Sequence, residues 1–535
     1  MFRNFFAAAL ACLIGATVAS APAIAQDWDL RVDPFRLAMA QETARRATDA
    51  DDPVAAFYRA RDYRPLWLGA AAAPRRAAFV AAMARGEAHG LPKNLTDADS
   101  LRSLFESARS ATDRAAVEVE ATTRLLTFMR AAATGILNPK DAAPGIKFDR
   151  PARDWSVHLA AFAGADPQAA LDDIWPKDPA YSNLLRAKLR LDEQRLAGGW
   201  GPQVRAGAVK PGQGGAAVIA LRDRLIRMGY LDRTLATDYG PALTAAVRLF
   251  QQDHGLTADG VAGPDTLAAL NVPLSDRLAQ LVIGMERRRW LNKPLEPRHI
   301  LVNIAEQHAY VYDDGAVTFD TVVVVGSTES DRRTPEFSDE MDHMVINPTW
   351  NVPRSIAVKE YLPSLRRGGA NHLRLYYRGR QVSRDGIDFS QYTAQSFPFS
   401  LKQPPGPSNA LGKVKFMFPN RWNIYLHDTP SKSLFGRDRR TFSHGCVRVE
   451  RPFDLAYHLL APQEADPVGT FQSILNRGAE RRVNLEQPIG VHLVYWSAWV
   501  GADGRLKFRE DPYGRDRNVL LSLQAAGVEL DPERS

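Results

Sequence analysis

Met285-Glu-Arg-Arg-Arg-Trp-Leu-Asn-Lys-Pro-Leu-Glu-Pro-Arg-His-Ile-Leu-Val-Asn-Ile304 is where the chain changes its periodicity. Up to Trp290 the residues suit a charged helix. From His299 onward, β-branched and aromatic residues alternate with the period of a half-buried strand. Ala309-Tyr-Val-Tyr312 and Phe319 to Val325 continue that pattern on either side of an Asp313-Asp-Gly315 turn. Further strands are expected at Met344 to Ile346, Val414 to Phe418, Trp422 to His427 and Val491 to Val500. A helical first part and a β-rich last part predict a multidomain α+β protein.

Toward the N-terminus, Gly212 to Val272 is a legible small unit. Val218, Leu221, Leu225 and Met228 fall on one helical face, and Leu243, Val247 and Phe250 on a second. Gly260 to Pro264 turns the chain into a third helix, with Pro264 at its start and Asp265 in its first turn. Three short helices hold only a small core, which suits binding or positioning better than catalysis. Before the Lys210-Pro-Gly-Gln-Gly-Gly215 linker, residues 26–208 are rich in Ala, Leu and Arg at helical spacing, as in Leu101, Leu104, Phe105 and Ala108. At the start, Arg3, an apolar run from Phe5 to Val18 and Ala23-Ile-Ala25 read as a secretory signal segment, with an exported, periplasmic protein expected. The 535 residues thus divide into a signal (1–25), a helical scaffold (26–208), a three-helix unit (209–273), a connecting helix (274–296), a β-rich domain (297–475) and a C-terminal segment (476–535).

Charge and cysteine content narrow the chemistry. The formal net charge of +7 is spread out, with small clusters at Arg287 to Arg289 and Arg437 to Arg440. Such a balance suits an anionic polymer surface but lacks the tight basic runs of a nucleic-acid binder, so no nucleic-acid partner is expected. Of the two cysteines, Cys12 falls in the signal segment and only Cys446 remains. A single unpaired thiol in an exported chain points to reactivity, although a buried inert thiol fits the count equally well.

Polar signals concentrate in Ile424-Tyr-Leu-His-Asp-Thr-Pro430 and Arg440-Thr-Phe-Ser-His-Gly-Cys-Val-Arg-Val449. His427 stands at a strand end nineteen residues before Cys446, with a loop that allows the two to meet. A thiol is a strong nucleophile as thiolate, which a neighbouring imidazole stabilises as an ion pair. Gly445 lets backbone N–H groups approach a developing oxyanion. Two other readings stay open on spacing alone: a structural role for each residue, and a zinc site from His427, His444 and Cys446.

Ser443-His-Gly-Cys446 with His427 upstream resembles the signature of the YkuD-type L,D-transpeptidase catalytic domain. Asn347-Pro-Thr-Trp-Asn-Val-Pro353, Gln403-Pro-Pro-Gly-Pro-Ser-Asn-Ala-Leu-Gly-Lys-Val-Lys-Phe416, Phe418-Pro-Asn420 and the tail from Trp496 to Asp516 are similar to its large YcbB-like branch. Ala245-Ala-Val-Arg-Leu-Phe-Gln-Gln-Asp-His-Gly-Leu-Thr-Ala-Asp-Gly-Val-Ala-Gly-Pro-Asp-Thr-Leu267 resembles a three-helix peptidoglycan-binding domain, which would either grip glycan or brace its neighbour.

The resemblance implies a β-rich catalytic fold with a mobile capping insertion at about 355–403. It also implies an enzyme that forms 3→3 peptidoglycan cross-links. Cys446 would attack the third stem residue of a tetrapeptide donor and expel D-alanine, His427 would manage protons, and backbone N–H groups at Gly445 and Cys446 would hold the oxyanion. His444, Ser443, Arg448, Tyr425 and Asn409 are the expected substrate-binding or supporting residues. Arg448 stands where many single-domain relatives carry Asn, and is a candidate for a substrate carboxylate or an internal ion pair. No metal or cofactor is required. The implied partners are stem peptides, glycan strands and, transiently, wall-synthesis proteins. A cysteine-dependent wall hydrolase and a catalytically idle wall-binding scaffold are the alternatives.

Overall fold

A computed structural model describes residues 33–530; the expected signal segment and Cys12 lie outside the described residues. The helices Pro34–Arg46, Pro53–Ala60, Pro167–Asp172 and Pro179–Leu196 each follow an aspartate whose carboxylate accepts a backbone N–H of the first turn. Asp caps the orphan donors and Pro lacks the N–H that would otherwise go unpaired. Ala111–Thr134 is closed by a reciprocal Ser110–Asp113 box and runs through this region with Ala115, Leu125 and Phe128 fully buried. No helix among the described residues is long and apolar enough to cross a membrane.

The three-helix unit comprises Ala216–Arg227, Pro241–Asp253 and Pro264–Leu270, packed around Val218, Leu221, Leu225, Val247, Phe250 and Leu270. Its Gln251 amide donates to Asp259 and Thr266 and accepts from the Gly260 N–H, so these motif residues hold the fold together. Asp253 is fully buried yet pairs with Arg505 at 3.0 Å and with Lys507, outside the unit. Thr257 donates to the Asp438 carboxylate at 2.8 Å. Helix Leu274–Trp290 then runs into the protein, burying even Arg287 and Arg289.

The β-rich part contributes β1 (Arg298–Asn303), β2 (His308–Asp313), β3 (Ala316–Gly326), β4 (Phe337–Ile346), β5 (Trp350–Asn351), β6 (Arg374–Tyr377), β7 (Arg380–Val382), β8 (Ser400–Gln403), β9 (Val414–Met417), β10 (Leu426–His427), β11 (Thr441–Ser443), β12 (Val447–Val449), β13 (Arg481–Val494), β14 (Ala498–Val500) and β15 (Leu506–Phe508). The main sheet runs β11-β3-β12-β10-β9-β4-β13-β1-β2, and a further β2–β3 pairing closes it on itself. Asp314 and Gly315 both have positive φ, the mirror-image hairpin turn that matches the twist of β2 and β3. Val323, Val325, Met344, Phe416, Leu426 and Val447 fill the core, against helices Pro452–Leu460 and Pro467–Asn476. Segment 350–403 adds a short helical stretch, with one π-type turn at Ala357–Tyr361, and the small sheet β5-β8-β6-β7.

Two expected strands are shorter than their sequences suggest. The Asn420 side chain accepts from Trp422 and Ile424 N–H and donates to the Phe418 and Ile424 carbonyls, which folds 418–424 into a loop. Only Leu426 and His427 of the expected strand from Trp422 join the ladder. The expected strand Val491 to Val500 breaks after Val494, and β14 pairs with β15 in a separate hairpin.

Candidate active site

β10 lies between antiparallel β9 and parallel β12. His427 pairs with Lys415 on one side and Arg448 on the other, which sets the three in a row across the sheet. Residues two apart on a strand share a face, so Tyr425 and Cys446 form the adjacent row on that face. Their backbones meet where the Val447 N–H donates to the Tyr425 carbonyl at 3.1 Å. Leu426 and Val447 point the other way, into the core. A cavity of about 430 Å³ opens over the two rows, lined by Tyr425, His427, Cys446 and Arg448 with Trp350, Glu360 and His444.

The His427 ring is buried, and its Nδ1 meets the Asp428 carbonyl oxygen, which can only accept. Nδ1 therefore carries the proton and Nε2 is left as a base. Burial first, and then the charge of Arg448, lowers the imidazole to about 3. Cys446 is partly exposed to the cavity, yet the packing about its sulfur pushes the thiol up to about 11. Its Sγ–H donates to the Asn423 carbonyl at 3.5 Å. The resting pair is thus a neutral thiol and a neutral imidazole, not the ion pair that the sequence led us to expect. Two cations already flank His427, and the site penalises a third.

Gly445 has φ near +115°, a conformation that a side chain disfavours, and a Cβ there would lie 3.2 Å from Ile424 Cδ1. Its N–H donates to Ser443 Oγ at 3.1 Å, while that hydroxyl donates to the Cys446 carbonyl. Ser443 therefore staples the turn and is not engaged with His427. Of the two N–H groups expected to face an oxyanion, Gly445's is occupied and Cys446's makes no hydrogen bond among the described residues.

Asn409 is fully buried; its amide donates to the carbonyls of Pro348, Gln403 and Pro404, and its oxygen accepts from Leu411 N–H. These bonds fix the loop after β8 and make Asn409 a supporting residue. His444 Nε2 meets Glu360 of the π-type turn, and Arg332 holds the same carboxylate oxygen at 3.0 Å. Arg448 makes no ion pair among the described residues, and its buried Nε has no partner. Among the described residues, no three His, Cys, Asp or Glu side chains converge to hold a metal ion.

Lys415, Glu360 and Thr334 escaped the sequence reading. Lys415 had a signal, as the polar residue between Val414 and Phe416 in a quoted motif, but its row depends on register. Glu360 reaches the site through the insertion. Thr334 donates to the Gly445 carbonyl at 2.7 Å from a segment with no recognised motif.

Residues 297–471 match the family model described as the L,D-transpeptidase catalytic domain, 52–187 the scaffold domain, and 214–270 the "Putative peptidoglycan binding domain". A Haemophilus influenzae protein named "Putative L,D-transpeptidase" is 33% identical over 231 residues, covering 42% of this chain and 45% of that protein. The chain therefore spans less than half the length of that curated relative in the match. Solved structures that are similar include an L,D-transpeptidase from Stackebrandtia nassauensis (15% identity, 55% of this chain and 97% of that one, TM-score 0.22). Another, from Xylanimonas cellulosilytica, has 17% identity over 55% of this chain and 98% of that one, with TM-score 0.16. Over residues 297–471 the chain is similar to the YkuD-type L,D-transpeptidase catalytic domain, preceded by segments similar to a scaffold domain and a putative peptidoglycan-binding domain.

Proposed function

We propose that this protein is an exported, periplasmic L,D-transpeptidase that forms 3→3 peptidoglycan cross-links through an acyl-enzyme on Cys446. The observation that carries this reading is the pair of rows on one sheet face, Tyr425–Cys446 beside Lys415–His427–Arg448, under a cavity of peptide size. Cys446 Sγ adds to the carbonyl carbon of the third stem residue as its proton passes to His427 Nε2. The C–N bond then breaks, the proton goes to the departing D-alanine nitrogen, and a thioester remains. The side-chain amine of a second stem peptide adds to the thioester carbonyl, gives up a proton through His427, and the thiol is released. Arg448 lines the cavity and has no ion-pair partner among the described residues, which supports a donor that bears a carboxylate.

Mass spectrometry of the mature protein with purified disaccharide-tetrapeptide, beside Cys446→Ala, tests the proposal. A Cys446-dependent dimer lacking one D-alanine, with fragments that show the 3→3 bond, is the expected result. Tripeptide alone would assign a carboxypeptidase. No product and no acyl adduct would overturn the enzyme reading in favour of a wall-binding scaffold.

A further inference from the structure

Thr334 is fully buried beneath the turn that carries Cys446. Its Oγ1 accepts from the Gly326 N–H at 2.8 Å and lies 2.7 Å from the Gly445 carbonyl oxygen. A hydroxyl has one proton, and the Gly326 bond uses a lone pair, so that proton is committed to Gly445. The peptide joining Gly445 to Cys446 is planar and trans, which points its C=O and its N–H in opposite directions. Fixing the oxygen on Thr334 therefore fixes the line of the Cys446 N–H, which makes no hydrogen bond among the described residues.

We propose that Thr334 is the positioning residue that aims the Cys446 N–H at the oxyanion formed during acylation. When Sγ adds to the substrate carbonyl, the π electron pair moves to oxygen and the thiol proton to His427 Nε2. Thr334 changes no bond; its hydroxyl keeps the donor in line while the negative charge appears. Preorganisation of this kind costs no reorganisation at the moment of reaction.

Thr334 is itself held from outside the matched catalytic region. Arg515 Nη2 donates to the Thr334 carbonyl at 2.7 Å and pairs with Glu336 at 3.2 Å, with Arg515 1% exposed. Tyr513 Oη donates to the Gly326 carbonyl at 2.5 Å, fixing the residue whose N–H orients the threonine. The C-terminal segment thereby supports the geometry of the turn through Thr334 and Gly326.

This inference rests on the acyl-enzyme reading, and the test separates the two. Wild-type protein and variants are mixed with meropenem, whose acylation of Cys446 creates an oxyanion, and in parallel with iodoacetamide, whose alkylation does not. Both adducts are followed by mass spectrometry. Thr334→Val is expected to lower the limiting acylation rate about a hundredfold while alkylation stays within about twofold. Thr334→Ser should restore acylation to within about threefold of wild type. Equal acylation in wild type and Thr334→Val, or a parallel loss of alkylation, would overturn the positioning role. If Thr334→Val does not fold, Tyr513→Phe carries the test: a loss of at least about threefold in acylation alone supports the role. Wild-type acylation in Tyr513→Phe would overturn it. Should wild-type Cys446 be alkylated but never acylated, the acyl-enzyme reading fails, and the positioning role with it.

Discussion

Arg287 donates to Glu336 at 2.6 Å, and each of the two side chains is only 2% exposed. The other Glu336 oxygen takes Arg515, while its backbone N–H donates to the Gly145 carbonyl at 2.8 Å and its own carbonyl accepts from Lys147. One residue thus joins the catalytic domain to the helix Leu274–Trp290, the C-terminal helix Arg515–Ala525 and the scaffold. A buried pair contributes little relative to an apolar substitute, but breaking one strands a charge.

Glu336→Ala is therefore expected to lose about 3–5 kcal/mol of stability, read from denaturant or thermal unfolding. A loss under about 1 kcal/mol would mean that Asp516, 3.0 Å from Arg287, neutralises the stranded guanidinium unaided.

The neutral resting dyad predicts a pH profile. Alkylation follows the thiolate fraction, and a thiol pushed up to about 11 stays protonated at neutral pH. The iodoacetamide rate of the free enzyme should rise about tenfold per pH unit from 6 through 9. No step is expected between pH 5 and 8 from His427, whose imidazole titrates at about 3. A plateau reached by pH 7 would restore the ion pair.

Glu360 ties the helical stretch after Pro353 to His444 and Arg332, with Lys359 to Asp331 beside it. Glu360→Ala should speed amide hydrogen exchange across 357–366 by about tenfold or more, while exchange in β4 and β13 stays unchanged. Unaltered exchange at 357–366 would show that core packing by Ile356, Leu362 and Leu365 holds this stretch without the carboxylate.

At Gly445, alanine adds strain near φ +115° and a contact with Ile424. Gly445→Ala should cost about 1–3 kcal/mol and lower acylation about a hundredfold through displacement of the Cys446 N–H. Wild-type acylation in a folded variant would show that the turn absorbs the side chain.

Local signals in the sequence translated into structure faithfully. Asp313-Asp-Gly315 became a two-residue hairpin turn, and the motif from Phe250 to Thr266 became the hydrogen-bonded heart of the three-helix unit. Asp-Pro steps at 52–53 and 178–179 are equally local signals, and each starts a helix. What stayed illegible depends on distant partners. Lys415 joins the site because β9 pairs with β10 in one register and not the next, a choice that no period-two pattern contains. The Arg515 grip on Thr334 spans 181 positions of chain. Asn420 shortened a strand that composition favoured, because its side chain satisfied backbone groups that a ladder would have used.

Docking of the three-helix unit has a consequence for reach. Asp253 is sealed against Arg505 and Lys507, and Thr257 holds Asp438 in the loop leading to Cys446. A module on a flexible tether samples a sphere whose radius grows with linker length, and local concentration falls as the sphere widens. A module seated on its neighbour samples one point. A ligand held there would stand at a fixed offset from the thiol, a gauge with a set span, and lengthening the linker at 209–215 would leave that span unchanged.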